Sequence, residues 1–283
     1  MAERGYIFCT RMYNVADAAT AAWRRLMEET ARVSGVGLRF EPFPFPNDIL
    51  RLWELDDLGC AFICGRPFAL GGCAHRPLAV PLRVRTGGTP YYTTKLLVRG
   101  DSPFRCLEDT FGHRLGLTTP HSLSGYLAVR EHLAPYQKGQ QGQQGGKGRK
   151  APEGPLYAGE VLGLHTPMNC LKALADRRAE VVPLDGYCHE LLERHAPDTL
   201  AHARVVAETR QYPMPLLVAS PRLADDAYEA LRAGLFTAAR LPGMRRVMDT
   251  LGLAGFGVPD IPAYEPLARD ADGASAAGQA RLA

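Results

Sequence analysis

Lysine is nearly absent from this 283-residue sequence: it occurs only at Lys95, Lys138, Lys147, Lys150 and Lys172, and arginine carries the rest of the positive charge. The arginines are scattered and the formal net charge is only +3, too little for a nucleic-acid binder. Any preference for anions must then come from a local site rather than from the field of the whole chain. Long apolar runs are also missing. No stretch approaches the ~20 residues that a spanning helix needs, so no membrane insertion is expected. The start, Met1-Ala2-Glu3-Arg4-Gly5, runs straight into a strand at Tyr6–Cys9 with no apolar signal core or small-residue cleavage site. As written, the expected location is the cytoplasm, or the periplasm if a leader has been removed. The seven cysteines are odd in number and lack framework spacing. Cys9, Cys60 and Cys64 sit in apolar strand-like runs, where a free thiol behaves as a small hydrophobe, a pattern suited to a reducing compartment.

Hydrophobic residues make up 46% and charged residues 22%, enough apolar material for a core that needs neither disulfide nor metal. Strand and helix signals alternate, which points to an α/β protein. Asp17 to Ser34 reads as a helix with Ala18, Ala22, Leu26 and Met27 on one face and Gly35 as its stop. Leu38–Phe40 reads as a strand, Pro42–Pro46 as a turn, and Asn47 or Asp48 as the cap of a helix at 49–55. Strands follow at 60–64, 79–85, 96–98 and 114–117, with a helical turn at 106–109 and a helix at 122–133. Gln137 to Gly154 is low in complexity and cannot bury a core. Further on come a helix at 167–175, strands at 181–184, 205–207 and 216–218, helices at 224–239 and 243–251, and a small, polar tail after Leu267.

The most informative stretch is Leu115-Gly116-Leu117-Thr118-Thr119-Pro120-His121-Ser122-Leu123-Ser124-Gly125-Tyr126. It reads as a strand, a hydroxyl-rich loop and a helix start. The first N–H groups of a helix have no intrahelical partner and carry partial positive charge. Ser122 and Ser124 add hydroxyls there, and Gly125 would let a ligand approach the backbone, so the segment can hold a phosphate-like group without a cation. An ordinary N-cap is the plainer alternative. Gly146-Lys147 lacks both the upstream Gly and the following Ser or Thr of a P-loop, and Ser122 is not in a Gly-x-Ser-x-Gly elbow. Cys60, Cys64, Cys73 and His75 invite a metal reading, but the strand would point the first two into a core. Cys188-His189 near His195 invites a thiol-nucleophile reading, but that pair fits a helix surface better. No cofactor and no metal are expected.

Three blocks together resemble the phosphonate-binding family, substrate-binding components of ABC transporters with the type II periplasmic-binding fold. They are Tyr91-Tyr92-Thr93-Thr94-Lys95 through Asp101-Ser102-Pro103, then Leu107-Glu108-Asp109 with Phe111-Gly112-His113-Arg114, then Ser122-Leu123-Ser124-Gly125-Tyr126. Gly163-Leu164-His165 resembles the family's Gly-x-His, and Asp57 to Ile63 resembles its Asp-x-Ala strand. The resemblance extends from about Tyr6 to Leu253. It implies that Ser122, Ser124 and the amides around Leu123 and Gly125 hold the anion's oxygens. It also implies donors from Tyr92, Thr93 or Thr94 and from His165, with Asp185 or Tyr187 lining the outer pocket. Asn47 stands, with Asp48, where the family has an Asp-Tyr pair. Leu123 replaces the family's central Thr and removes a hydroxyl. Met214 falls where aminophosphonate binders keep a carboxylate, and a thioether cannot pair with an ammonium, so an aminoalkyl phosphonate is not expected as the ligand.

Read from the residues alone, Asp185-Gly186-Tyr187 is either a strand end lining a crevice or a plain turn. Arg66 either pairs an anion bidentately or is solvated, with solvation preferred. The resulting expectation is a two-lobed fold, each lobe a mixed sheet flanked by helices. Lobe one spans 1–90 with 215–283 returning to it, lobe two spans 91–214, and there are two hinge crossings. The function expected is binding of a small oxyanion (phosphate, phosphonate or similar) in an interlobe cleft, with an ABC transporter permease as partner. The alternatives are a cytosolic enzyme on the same fold, acting on a small carboxylate or phosphorylated metabolite, and a cytosolic ligand sensor. No acid–base pair or activated nucleophile supports the enzyme.

Overall fold

The computed structural model describes residues 5–137 and 154–268. The expected low-complexity loop 137–154 lies, but for its ends, outside the described residues, as does the chain beyond 268. The first leg of the chain contains β1 (Tyr6–Cys9), α1 (Asp17–Ser34), β2 (Leu38–Phe40), α2 (Ile49–Trp53), β3 (Leu58–Ile63), α3 (Gly65–Leu70), β4 (Arg76–Arg83) and β5 (Tyr91–Tyr92). The second contains β6 (Thr94–Arg99), β7 (Arg114–Gly116), α4 (Ala128–Gln137), β8 (Gly159–Val161), α5 (Pro167–Ala175), β9 (Val181–Asp185), α6 (Gly186–His195), β10 (Ala203–Glu208) and β11 (Tyr212–Pro213). The return leg contains β12 (Leu216–Ala219), α7 (Asp225–Ala238), α8 (Arg245–Leu251) and β13 (Leu253–Gly257).

Two compact units result. The first takes residues up to Tyr92, Glu190–His195 and 213–268; the second takes 93–189 and 196–212. In the first unit a six-stranded sheet has the order β13-β4-β12-β3-β1-β2. β1 is parallel to β2 and β3, whereas β12 and β13 run antiparallel to their neighbours. All six residues of β3 are buried, as a strand covered on both faces requires. The indole of Trp23 meets the Phe62 ring edge-on at 5.1 Å, and Tyr13 meets it at 4.7 Å. These rings seal α1 to the sheet, since offset and edge-to-face pairs add to simple area burial.

α1 has the expected bounds and ends at Gly35 in the left-handed conformation (φ 71°), a C-cap that needs no Cβ. Its core face includes Ala19 and Trp23 with Ala22, Leu26 and Met27, while Ala18 is exposed, so the expected stripe was one residue out at its start. Asp48 rather than Asn47 caps α2, accepting from the Leu50 amide at 3.0 Å. Arg66 is buried in the first turn of α3 instead of solvated.

The second unit holds a five-stranded sheet, β10-β6-β9-β7-β8. β7, β8 and β9 are parallel, and β6 and β10 are antiparallel. Leu96, Val98, Leu115, Leu117, Val129, Leu133 and Tyr157 form its core. Sequence reasoning drew no bounds for α6, though it placed Cys188 and His189 on a helix surface. The first seven residues of α6, Gly186 to Leu192, are all buried, and the polar His189 and Glu190 among them blur the apolar stripe from which a surface helix is read. Cys188 and His189 are therefore interior groups, not members of a helix surface. Burial holds the Cys188 thiol protonated by raising its pKa, which removes any case for a nucleophile. Among the described residues no group of three or more His, Cys, Asp or Glu could hold a metal ion, and no helix is long and apolar enough to cross a membrane.

Candidate anion site at the strand edge of the second unit

The register of the five-stranded sheet collects scattered sequence segments at one edge. Parallel β7, β8 and β9 present their C-terminal ends there, leading respectively into Ser122–Gly125, His165 and Asp185–Tyr187. β6 runs the other way and begins there, with Thr94 opposite Asp185, and β10 ends there, with Glu208 opposite Lys95. Ligands of α/β sheets settle beyond the carboxyl ends of parallel strands, where loops and helix starts converge. The site residues expected in this unit, Thr93, Thr94, Ser122, Leu123, Ser124, Gly125, His165, Asp185 and Tyr187, all lie at this edge. The other three, Asn47, Arg66 and Tyr92, belong to the first unit. Asn47 is exposed there, with its carbonyl accepting from Arg11 at 2.6 Å, and Tyr92 is buried.

The helix after β7 opens unusually. Residues Leu123–Leu127 form a wide turn in which Leu127 N donates to Ser122 O (3.1 Å) and Ala128 N to Leu123 O. Within the same turn Gly125 O accepts from Thr118 N at the end of β7 (3.0 Å), a bond that ties the helix start to the strand. Such wide turns recur at functional sites, and here the turn leaves the amides of Ser124 and Tyr126 without an acceptor inside the helix. Ser122 caps the turn through Oγ, which accepts from Gly125 N at 3.0 Å; its own hydroxyl proton remains available to a ligand. Ser124 is half-buried. Leu123, in the place of the missing hydroxyl, points into the core and is fully buried.

The glycine at 125 serves a different purpose from the one expected. A Cβ there would fall on Thr118 Oγ1 and come within 2.6 Å of Cγ2 and 2.8 Å of Cβ of the same residue. Its missing side chain makes room for the strand end, not for a ligand. Thr118, which sequence reasoning did not select, is buried with its hydroxyl unpartnered.

The β8 loop is laced to the same place. Leu117 N donates to Val161 O (2.9 Å), Gly163 N to Thr118 O (3.2 Å) and Leu164 N to Leu117 O (3.2 Å). His165 is exposed at positive φ (60°), between Gly163 and the Thr166 cap of α5, whose Oγ1 accepts from Asn169 N at 3.1 Å. On the other side, Asp185 Oδ1 accepts from Tyr187 N (2.8 Å) and Cys188 N (3.0 Å). Asp185-Gly186-Tyr187 is thus a helix N-cap rather than a plain turn, and Tyr187 is fully buried. Thr93 Oγ1 donates to Glu208 Oε2 at 3.1 Å, and Lys95 is hydrogen-bonded to the same carboxylate. Thr94 N donates to Thr209 Oγ1 at 2.9 Å. Glu208 and Thr209 escaped the sequence reading because only cross-strand register brings them here.

A family profile described as the phosphonate-type periplasmic substrate-binding protein of ABC transporters matches residues 13–264. The chain belongs to that family. Solved structures give the same fold, the type II periplasmic-binding architecture. A binding-protein component of an ABC phosphonate transporter from Pseudomonas aeruginosa superposes with a TM-score of 0.75 at 17% identity, covering 98% of this chain and 89% of that one. A protein from Prochlorococcus marinus in complex with methylphosphonate gives 0.69 at 12% identity, covering 95% and 97%. A Xanthomonas citri protein bound to ATP gives 0.59 at 18% identity, covering 96% and 98%. No curated protein matches. Membership makes this a transporter-type, oxyanion-binding protein rather than an enzyme.

Proposed function

We propose that this member of the family captures a small tetrahedral phosphorus oxyanion, a short alkylphosphonate or phosphate, and delivers it to an ABC transporter permease from the periplasmic side of the membrane. One observation carries the reading: the wide helix-opening turn at Leu123–Leu127, with the Ser122 and Ser124 hydroxyls on it, stands at the C-terminal edge of three parallel strands. Ser122, Ser124 and the amides of the turn take the anion's oxygens, and His165 and the Thr93–Thr94 segment approach from the flanking loops. The serine hydroxyls, the amides of the turn and the Thr94 hydroxyl are neutral donors, which suits an anion held by hydrogen bonds without a fixed cation. A ligand without an ammonium group is favoured because Met214 stands where the aminophosphonate binders that the chain resembles keep a carboxylate.

Calorimetric titration of the full chain with methylphosphonate, inorganic phosphate, 2-aminoethylphosphonate and sulfate tests the reading. Methylphosphonate or phosphate should bind, and 2-aminoethylphosphonate should bind more weakly than methylphosphonate. Ser124→Ala should weaken affinity about fivefold to thirtyfold, the loss of one hydrogen bond of about 1–2 kcal/mol. Heat of binding from none of the phosphorus oxyanions would overturn the proposal.

A further inference from the structure

Arg130 lies on α4, four residues past Tyr126, and Glu160 lies on β8. One guanidinium nitrogen of Arg130 sits between both carboxylate oxygens of Glu160, at 2.9 and 3.0 Å, and the guanidinium carbon stands 4.6 Å from the centroid of the Tyr126 ring. Both side chains are about nine-tenths buried (10% and 9% exposed). The other ion pairs described in this unit each keep a partner far more open to water: Arg114–Glu180, Lys95–Glu208, Arg99–Asp101, Arg177–Asp101, Lys172–Asp176 and Arg210–Glu131. A buried ion pair is weak evidence for stability, because desolvating two charges offsets much of their attraction, and apolar replacements of similar volume are often neutral or stabilising. What such a pair does supply is a fixed orientation, and a planar guanidinium adds a stacking surface that an ammonium lacks.

The placement gives that orientation a use. α4 continues the turn that carries Ser122 and Ser124, and β8 runs directly into the loop that carries His165. Backbone bonds hang each loop on the end of β7, and the Arg130–Glu160 pair ties α4 to β8 while the same guanidinium stacks on Tyr126, the residue next to Gly125.

We propose that Arg130 and Glu160 are positioning residues of the anion site, holding the serine turn and the His165 loop in one relation so that a ligand meets preformed donors. The inference rests on the function proposed above and assigns the pair no contact with the ligand. Preorganised donors bind more tightly because less ordering is left to the moment of binding.

The test measures two quantities on the full chain, the dissociation constant for methylphosphonate (or for phosphate, if only that binds) and the unliganded melting temperature. Arg130→Lys keeps the charge but loses the stacking plane, and it should weaken binding about fivefold while melting near the wild type. Arg130→Met/Glu160→Leu should melt no lower than the wild type and bind about tenfold more weakly. If that double variant does not fold, Tyr126→Leu leaves the pair intact and should weaken binding about threefold, with Tyr126→Phe restoring it. A merely structural pair would move melting and leave affinity alone. Wild-type affinity in Arg130→Lys, or in a double variant that melts like the wild type, overturns the proposal. A wild-type protein that binds no phosphorus oxyanion overturns instead the function on which it rests.

Discussion

Gly125→Ala puts a single methyl group into the junction on which the anion site depends. The added Cβ would meet all three non-backbone heavy atoms of Thr118, falling on Oγ1 and lying within 2.6 Å of Cγ2 and 2.8 Å of Cβ. Neither side can move away cheaply. Gly125 is held at its N by Ser122 Oγ (3.0 Å) and at its O by Thr118 N (3.0 Å), and Thr118 O is held by Gly163 N (3.2 Å). Overpacking a tight interior costs about 1–3 kcal/mol, and losing a backbone hydrogen bond adds about 1 kcal/mol, so a destabilisation of about 3 kcal/mol is expected. Urea unfolding followed by circular dichroism measures it, and titration with methylphosphonate measures the accompanying loss of affinity. The cause can be isolated with Thr118→Ala. Alone it should be nearly neutral, because it deletes a buried hydroxyl that has no partner. Combined with Gly125→Ala it should recover much of the loss, since the two closest contacts disappear. A Gly125→Ala protein that unfolds within about 0.5 kcal/mol of the wild type, or an additive double mutant, would refute this account of the junction.

Ser124→Ala should lower affinity, as given above, while leaving stability to urea unchanged. Arg83→Met removes a guanidinium 3.3 Å from Glu190, both side chains being at most 5% exposed, and leaves that carboxylate with the more distant Arg194 at 3.8 Å; denaturant unfolding should show a loss of about 3 kcal/mol, the low end for a broken buried pair. Glu208 has its carboxyl pKa held below 4.5 by the hydrogen bond from Lys95. Its contribution is therefore fully present above pH 4.5 and lost as pH falls through the lower folded value. Glu208→Gln should flatten that part of the acid-unfolding curve, and an unchanged curve would exclude the pairing. Burial pushes the thiols of Cys9 to about 11 and of Cys60 and Cys170 to about 12. Iodoacetamide at neutral pH should then label exposed Cys106 first and half-buried Cys73 next, with the buried cysteines reacting only in denaturant. Mass spectrometry of the labelled peptides reads the order.

Much of the molecule was legible one segment at a time. The 3.6-residue pattern and a glycine stop gave α1 its bounds, and Thr166-Pro167 marked the start of α5. The run of hydroxyls before Tyr126 marked a helix opening at the end of a strand. What a one-dimensional pattern does not hold is the number of neighbours around a residue. Cys188 and His189 were assigned to a helix surface because the polar His189 and its neighbour Glu190 carry no sign of their burial in the sequence. Arg66 was assigned to solvent because a lone arginine beside glycine and proline carries no sign of burial.

Local chemistry in the sequence therefore determined which elements form and where neutral donors cluster, because caps, glycine stops and apolar periods act over a few residues. Tertiary structure alone decided that Ser124, His165, Asp185 and Thr94 share one edge, because strand register joins positions up to about ninety residues apart. It decided too why residue 125 has no side chain: the end of β7 occupies the space a Cβ would need. The same contact ties the helix opening to that strand, since Thr118 N donates to Gly125 O (3.0 Å).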